Sequence, residues 1–296
     1  MQNCCFRASR DAGRGSASCL TAQTLRTRTG TGKRLPYRSE RRKRERTVKE
    51  KERYHLLDGL RGVTLLSMIL YHGMFDLVVL YGVPVRWFFR TPGYVWQQSI
   101  CWTFILLSGF CWRLGRTPWK RGLVISACGL MITFVTFVFM PSERILFGIL
   151  TFTGAAMLAL VPVERFLRSV PQQAGLLVSV LLFLLTRNVN SGQLGFESFV
   201  LGEAPDVFYR GLLTAALGFP GPGFFSGDYF SFIPWIFLYL CGYFLYGLLM
   251  ERERVKRLLG RRAGFAEWIG KHSLFLYMLH QPVLMLLLEC WNRFFR

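Results

Sequence analysis

The sequence predicts an all-α fold, a polytopic membrane helical bundle of about seven spans, and three observations carry that expectation. Of the 296 residues, 52% are hydrophobic and 16% aromatic, a composition that belongs to integral membrane chains rather than soluble domains. The apolar residues gather into runs long enough to cross a bilayer. The charge, +20 overall, lies mostly outside those runs, with sixteen Lys and Arg against five Asp and Glu in residues 1–53 alone. Short basic connections between apolar runs are a topology signal, so no partnership with nucleic acid is expected.

Taken in order, residues 1–52 lack apolar periodicity and are rich in Arg, Ser, Thr and Gly, which predicts a disordered basic tail. No hydrophobic signal-peptide core precedes the first span, so cleavage is not expected. The run Arg41-Arg42-Lys43-Arg44 abuts the membrane domain, residues 53–296, where it would hold the N-terminus in the cytoplasm and touch anionic lipid. Spans are expected at 56–80, 94–112, 121–140, 145–162, 173–186, 231–250 and 272–291. The fifth is short, which suits a less tilted or packed-in helix, or one extended past Arg187.

The connections after the second, fourth and sixth spans carry Arg113, Arg116, Lys120, Arg121, Arg165, Arg168 and the series Arg252 to Arg262. All three fall on the same side as the tail, which puts the C-terminus outside. Arg86, Arg90, Arg293 and Arg296 run against the bias and do not outweigh it. The longest connection, 187–230, contains Gly218-Phe219-Pro220-Gly221-Pro222-Gly223 and an apolar segment, 205–217. That segment is expected to form an extra re-entrant or interfacial helix, and the whole connection to be either a lid over an outward-facing cavity or an ordinary loop. Eight cysteines are scattered without zinc or redox spacing, and no metal is expected.

The polar residues inside the spans are the candidates for chemistry, because ionisable groups at membrane depth face a protein interior or a cavity. At about 100° per residue, Asp58, Arg61, His72 and Asp76 share one stripe of the first helix roughly 60° wide. His72 and Asp76 are spaced i,i+4, so the carboxylate could fix the imidazole tautomer as a general base requires. Asp58 and Arg61, i,i+3 at the inner end, could pair, with Gly59 and Gly62 allowing close helix packing. In the last span, Lys271-His272-Ser273 opens the helix and His280-Gln281-Pro282 interrupts it, a pattern suited to lining a cavity.

The stretch Leu57-Asp-Gly-Leu-Arg-Gly62 with Met68-Ile-Leu-Tyr-His72 and Phe75-Asp76 resembles the opening of bacterial membrane proteins related to the catalytic domain of heparan-alpha-glucosaminide N-acetyltransferase. Phe104-Ile-Leu-Leu-Ser-Gly109, Phe147-Gly-Ile-Leu150, Asp228-Tyr-Phe230, Ile233-Pro-Trp235, Cys241-Gly242, Gly270-Lys-His-Ser-Leu274 and Leu279-His-Gln-Pro282 follow in order. The opening motif alone is shared with the wider group of transmembrane acyltransferases. The resemblance implies a bacterial plasma-membrane enzyme that takes an acetyl or other short acyl group from cytoplasmic acyl-CoA, as co-substrate, to an amine or hydroxyl of a glycan or amino sugar across the membrane. It implies His72 as the catalytic histidine; the residues read above are compatible with that chemistry, with Asp76, His280 and Gln281 completing the catalytic set and Asp58, Arg61, Arg113 and Lys120 as the coenzyme-binding set. Gln281 would donate to the oxyanion, and transfer could be direct or pass through an acyl-imidazole on His72 or His280. Thr151 stands where family members often carry His. Membrane lipid is the expected environment and a homo-oligomer is left open. A proton-coupled transporter and a non-catalytic membrane component are the competing readings.

Overall fold

The computed structural model of the chain describes residues 54–295; the basic tail expected over 1–52 lies outside the described residues. Ten α-helices follow in the described chain: α1 His55–Val79, α2 Thr91–Trp112, α3 Pro118–Phe139, α4 Ile149–Ser169, α5 Gln172–Thr186, α6 Leu212–Leu217, α7 Phe232–Met250, α8 Glu253–Leu259, α9 Phe265–Lys271 and α10 Ser273–Phe295. The seven long ones stand where the seven apolar runs predict them. Six segments are long and apolar enough to cross a membrane: α1, α3, α4, α7, α10, and α5 continued through the turn Val189–Ser191. That continuation carries the fifth helix past Arg187. Helix α2 is 22 residues long, but Gln97, Gln98, Ser99, Thr103 and Ser108 dilute its apolar character.

Local chemistry sets several boundaries. Pro92 and Pro118 sit in the first turns of α2 and α3, where a missing N–H costs nothing. Helix α4 starts four residues later than the expected 145, because the preceding residues are tied to another loop. Leu146 N–H donates to Ser226 Oγ at 2.9 Å, Phe230 N–H to Phe147 O at 2.8 Å, and Phe147 takes a φ of +56°. At its other end α4 runs through Pro162 to Ser169.

Within the long connection one element, a hairpin, is not expected from the sequence, and another, a short helix, is. Strands β1 (Gln193–Phe196) and β2 (Phe199–Glu203) form an antiparallel hairpin, Gln193 opposite Glu203 and Phe196 opposite Phe199. The segment 205–217 yields a one-turn 3-10 helix, Asp206–Phe208, and the six-residue α6. A helix of that length rises only about 9 Å, too short to re-enter the membrane.

The long helices alternate in direction. At the proximal end, where α1 begins, Arg113 Nη1 after α2 donates to Gln172 Oε1 at the start of α5, 2.9 Å. At the distal end, Asn190 Nδ2 donates to Gly218 O at 3.0 Å and Ser231 Oγ at 2.8 Å. Helix α7 is the central element, with Tyr239 and Tyr243 fully buried. It crosses α2 through a reciprocal pair of glycines. A Cβ on Gly109 would lie 2.0 Å from Tyr239 O, and one on Gly242 would lie 2.1 Å from Leu106 O. Such backbone contact is how helices associate where lipid removes the hydrophobic drive. Helix α3 is peripheral, burying only Gly122 and Gly129, both against α4.

Candidate active site

The polar stripe of α1 faces inward. Asp58 and Asp76 are buried, while Leu60, Val63 and Leu70 on the other side are exposed. At the proximal end the stripe borders a cavity of about 440 Å³, within the range that holds small-molecule ligands. Asp58, Arg61, Lys120, Arg121 and Lys271 supply its charged wall, four cations against one carboxylate. Leu107, Val124, Leu150 and Met157 supply an apolar wall, and Tyr277 also lines the cavity. Arg61 Nη1 donates to Asp58 Oδ1 at 3.4 Å, so the expected pair forms. Gly270 closes the wall: a Cβ there would fall 1.7 Å from Asp58 O.

Lys271 is placed by a buried carboxylate. Glu267 on α9 accepts from Lys271 Nζ and from His55 Nδ1, the latter at 2.6 Å. Lys271, and then His55, hold the Glu267 carboxyl down to about 2, so it remains an anion and fastens α9 to α1 and to the first residues of the cavity wall.

Further along, the structure brings together all four residues of the expected catalytic set, in a different pairing. Gln281 Nε2 donates to both Asp76 oxygens, at 3.1 and 3.0 Å. No hydrogen bond joins Asp76 to His72. The neighbour of His72 is His280, with ring centroids 5.0 Å apart. His280 Nδ1–H donates to Tyr277 O, which leaves Nε2 as the unprotonated nitrogen of the neutral ring, buried and without a partner. Asp76 is therefore not the group that orients His72. The Gln281 amide donor is committed to Asp76 rather than free for an oxyanion. Spacing along one helix pairs Asp76 with His72; in the fold the partners come from α10.

Of the expected coenzyme-binding set, Asp58, Arg61 and Lys120 line the cavity and Arg113 does not. Its guanidinium lies 5.1 Å over the Tyr243 ring and 4.9 Å over Tyr246, besides its bond to Gln172, a packing role at the proximal surface. Sequence reasoning missed Arg121 and Lys271, both beside residues it had marked, and Tyr277. Tyr277 lines the cavity and packs against His280 with ring centroids 5.2 Å apart and the rings tilted by 52°. It thus separates the cationic space from the imidazole pair, neither member of which lines the cavity. No residue of 187–231 lines it either, so the long connection is not its lid.

A fourth missed residue is Asp228. Its carboxylate caps α4, accepting from Ile149 N–H at 3.3 Å, and lines a second chamber of about 20 Å³ with Thr151 and Tyr277. Burial pushes the Asp228 carboxyl up to about 6. Its membership of the Asp228-Tyr-Phe230 motif was the available signal.

Among known proteins, the family described as heparan-alpha-glucosaminide N-acetyltransferase, catalytic, matches residues 53–282. No curated protein and no solved structure matches the chain.

Proposed function

The chain belongs to the heparan-alpha-glucosaminide N-acetyltransferase catalytic family, and on that premise we propose that it transfers an acetyl or other short acyl group from acyl-CoA to an amine or hydroxyl of a sugar. The observation that carries this reading is the cationic cavity inside an apolar bundle. A coenzyme A phosphate is an anion that Arg61, Lys120, Arg121 and Lys271 would hold by charge-assisted hydrogen bonds. The apolar wall of Leu107, Val124 and Met157 would take the uncharged arm. With the basic connections in the cytoplasm the proximal end faces the acyl-CoA pool and the distal end faces outward, in a bacterial plasma membrane by the likeness of its motifs.

The acyl group reaches the imidazole pair past Tyr277. His280 Nε2, aimed by the Nδ1–H bond to the Tyr277 carbonyl, is the nucleophile. Its lone pair attacks the thioester carbonyl, a C–N bond forms, the C–S bond breaks, and the thiolate leaves into the cationic cavity. His72 beside it keeps the acyl-imidazole within reach of the distal side.

The test is labelling of the full chain in lipid nanodiscs with acetyl-CoA carrying isotope in the acetyl group, without acceptor. Label should enter the protein and chase off with an amino sugar. His280→Ala should abolish protein-bound label and His72→Ala should lower transfer by at least 100-fold. Undiminished labelling in both variants would refute these roles.

A further inference from the structure

The chamber beside Asp228 is lined by Tyr277, whose ring lies 5.2 Å from that of His280, and the acyl-transfer step above does not use it. Its volume, about 20 Å³, suits one water, which takes about 10–15 Å³ of such space and needs two to four polar partners. Two partners wait in its wall. Thr151 Oγ1 is buried without a protein hydrogen bond. The Asp228 carboxylate lines the chamber and accepts from Ile149 N–H, one of the several hydrogen bonds that an ionised carboxylate can accept. Leu150 and Tyr277 line this chamber and the 440 Å³ cavity alike, so these two residues form a wall that the two spaces share.

We infer that Asp228, with one water held by Thr151 in this chamber, is a proton-exchange site that takes the proton of the attacking acceptor. The assignment rests on the transferase reading. In the second half of the reaction the acceptor nitrogen or oxygen attacks the acyl carbon. A C–N or C–O bond forms, the bond to imidazole breaks, and the ring recovers its lone pair. The acceptor's proton passes through the water to the Asp228 carboxylate and then to solvent, which balances the thiolate released in the first half. A carboxylate serves this purpose when it titrates close to the working pH, and burial has moved Asp228 in that direction. The other titratable groups near it are Tyr277 from α10 and Cys101 from α2. Along its own loop, Glu143 reaches the neighbouring Gly227, with Oε2 3.7 Å from where a Cβ would stand.

Two measurements on the full chain in nanodiscs decide it. Infrared difference titration should show a carboxylic C=O stretch that titrates near pH 6, disappears in Asp228→Asn and shifts in Thr151→Val, which removes the water's hydroxyl partner at constant volume. Transfer of labelled acetyl to an amino sugar should fall as pH drops through that same value. Asp228→Asn should lose at least 100-fold of the transfer rate and that acid limb, while still forming the labelled protein intermediate; Asp228→Glu should recover part of both. The inference is overturned if no titrating carboxyl is lost in Asp228→Asn, or if that variant keeps the wild-type rate and pH profile. Should Asp228→Asn fail to fold, an unshifted stretch in Thr151→Val overturns it equally. A titrating Asp228 that responds to Thr151→Val, in a protein that transfers no acetyl at any pH, would sustain the proton site and refute the transferase reading.

Discussion

Replacing Gly62 by alanine should separate α1 from α9 and damage the cavity wall, whereas the same replacement at Gly73, eleven residues along the same helix, should not. A Cβ on Gly62 would stand 1.9 Å from Ala266 O and 3.0 Å from Gly270 N, where a carbon and a carbonyl oxygen ordinarily approach to about 3.3 Å. Both obstacles are backbone, so no rotamer change relieves them and α9 must withdraw by roughly 1.5 Å. Overpacking of this kind costs about 1–3 kcal/mol. A Cβ on Gly73 would meet only Leu284 Cδ2, at 3.5 Å, an ordinary contact. Both substitutions gain about the same helix propensity, on the order of 1 kcal/mol, so their difference isolates the steric cost. At about 2–4 °C per kcal/mol for a domain of this size, Gly62→Ala should unfold roughly 2–12 °C below Gly73→Ala when both are followed by tryptophan fluorescence in one detergent. Acetyl-CoA affinity should fall only in Gly62→Ala, because Gly270 and Lys271 move with α9. If the two variants unfold together, or Gly62→Ala is the more stable, the close α1–α9 contact is not what builds the proximal wall.

Lys120→Gln and Arg121→Gln should each weaken acetyl-CoA binding about 10-fold, the loss of one charge-assisted contact of about 1.5 kcal/mol, with a smaller dependence of affinity on salt; calorimetry in nanodiscs reads both. Gln281→Leu strands the Asp76 carboxyl, which is 2% exposed, and should cost about 1–3 kcal/mol or more. The double variant Asp76→Leu/Gln281→Leu should unfold at a higher temperature than Gln281→Leu alone, since losing both partners removes the unsatisfied group. Arg113→Ala removes the bond to Gln172 and the contacts with two tyrosine rings, so the unfolding temperature should fall while acetyl-CoA affinity stays at the wild-type value; a matching loss of affinity would return Arg113 to the donor site.

The inward stripe of α1 is legible from sequence because one helix fixes the relative angles of Asp58, Arg61, His72 and Asp76 whatever surrounds it. The Asp58–Arg61 pair is legible for the same reason. Contacts between helices are not: spacing i,i+4 couples Asp76 to His72, but Gln281 and His280, more than two hundred residues away, compete for them and win. Arg121 and Lys271 escaped notice because topology already accounts for cations at a span's inner end, and the cavity appears only when α1, α3 and α9 converge. The hairpin carries no short-turn signal, since Glu197 and Ser198 at its tip are not residues that favour a tight turn. Glu197 adopts its φ of +50° under tertiary bonds: Tyr94 OH donates to its Oε1 at 2.6 Å and Asn188 Nδ2 to its carbonyl at 2.8 Å.

Distance along α1 makes the reaction look harder than the structure makes it. Asp58 and His72 are about 21 Å apart by helix rise, which seems to leave the donor stranded at one end and the imidazole at the other. Helix α10 shortens the path. It begins at the cavity wall, reaches Tyr277 after about one turn, and presents His280 less than one turn later. His72, His280 and the Asp228 chamber all meet at Tyr277, the first two through its ring neighbour and the third through the wall it shares with the cavity. In the proposed reaction a thioester seated among the proximal cations would need to reach one tyrosine, and the acyl group would then have an imidazole on one side of that residue and the Asp228 carboxylate on the other. On that reading, the separation that opposes transfer along α1 would become the separation of donor and acceptor sides that a membrane acyltransferase needs.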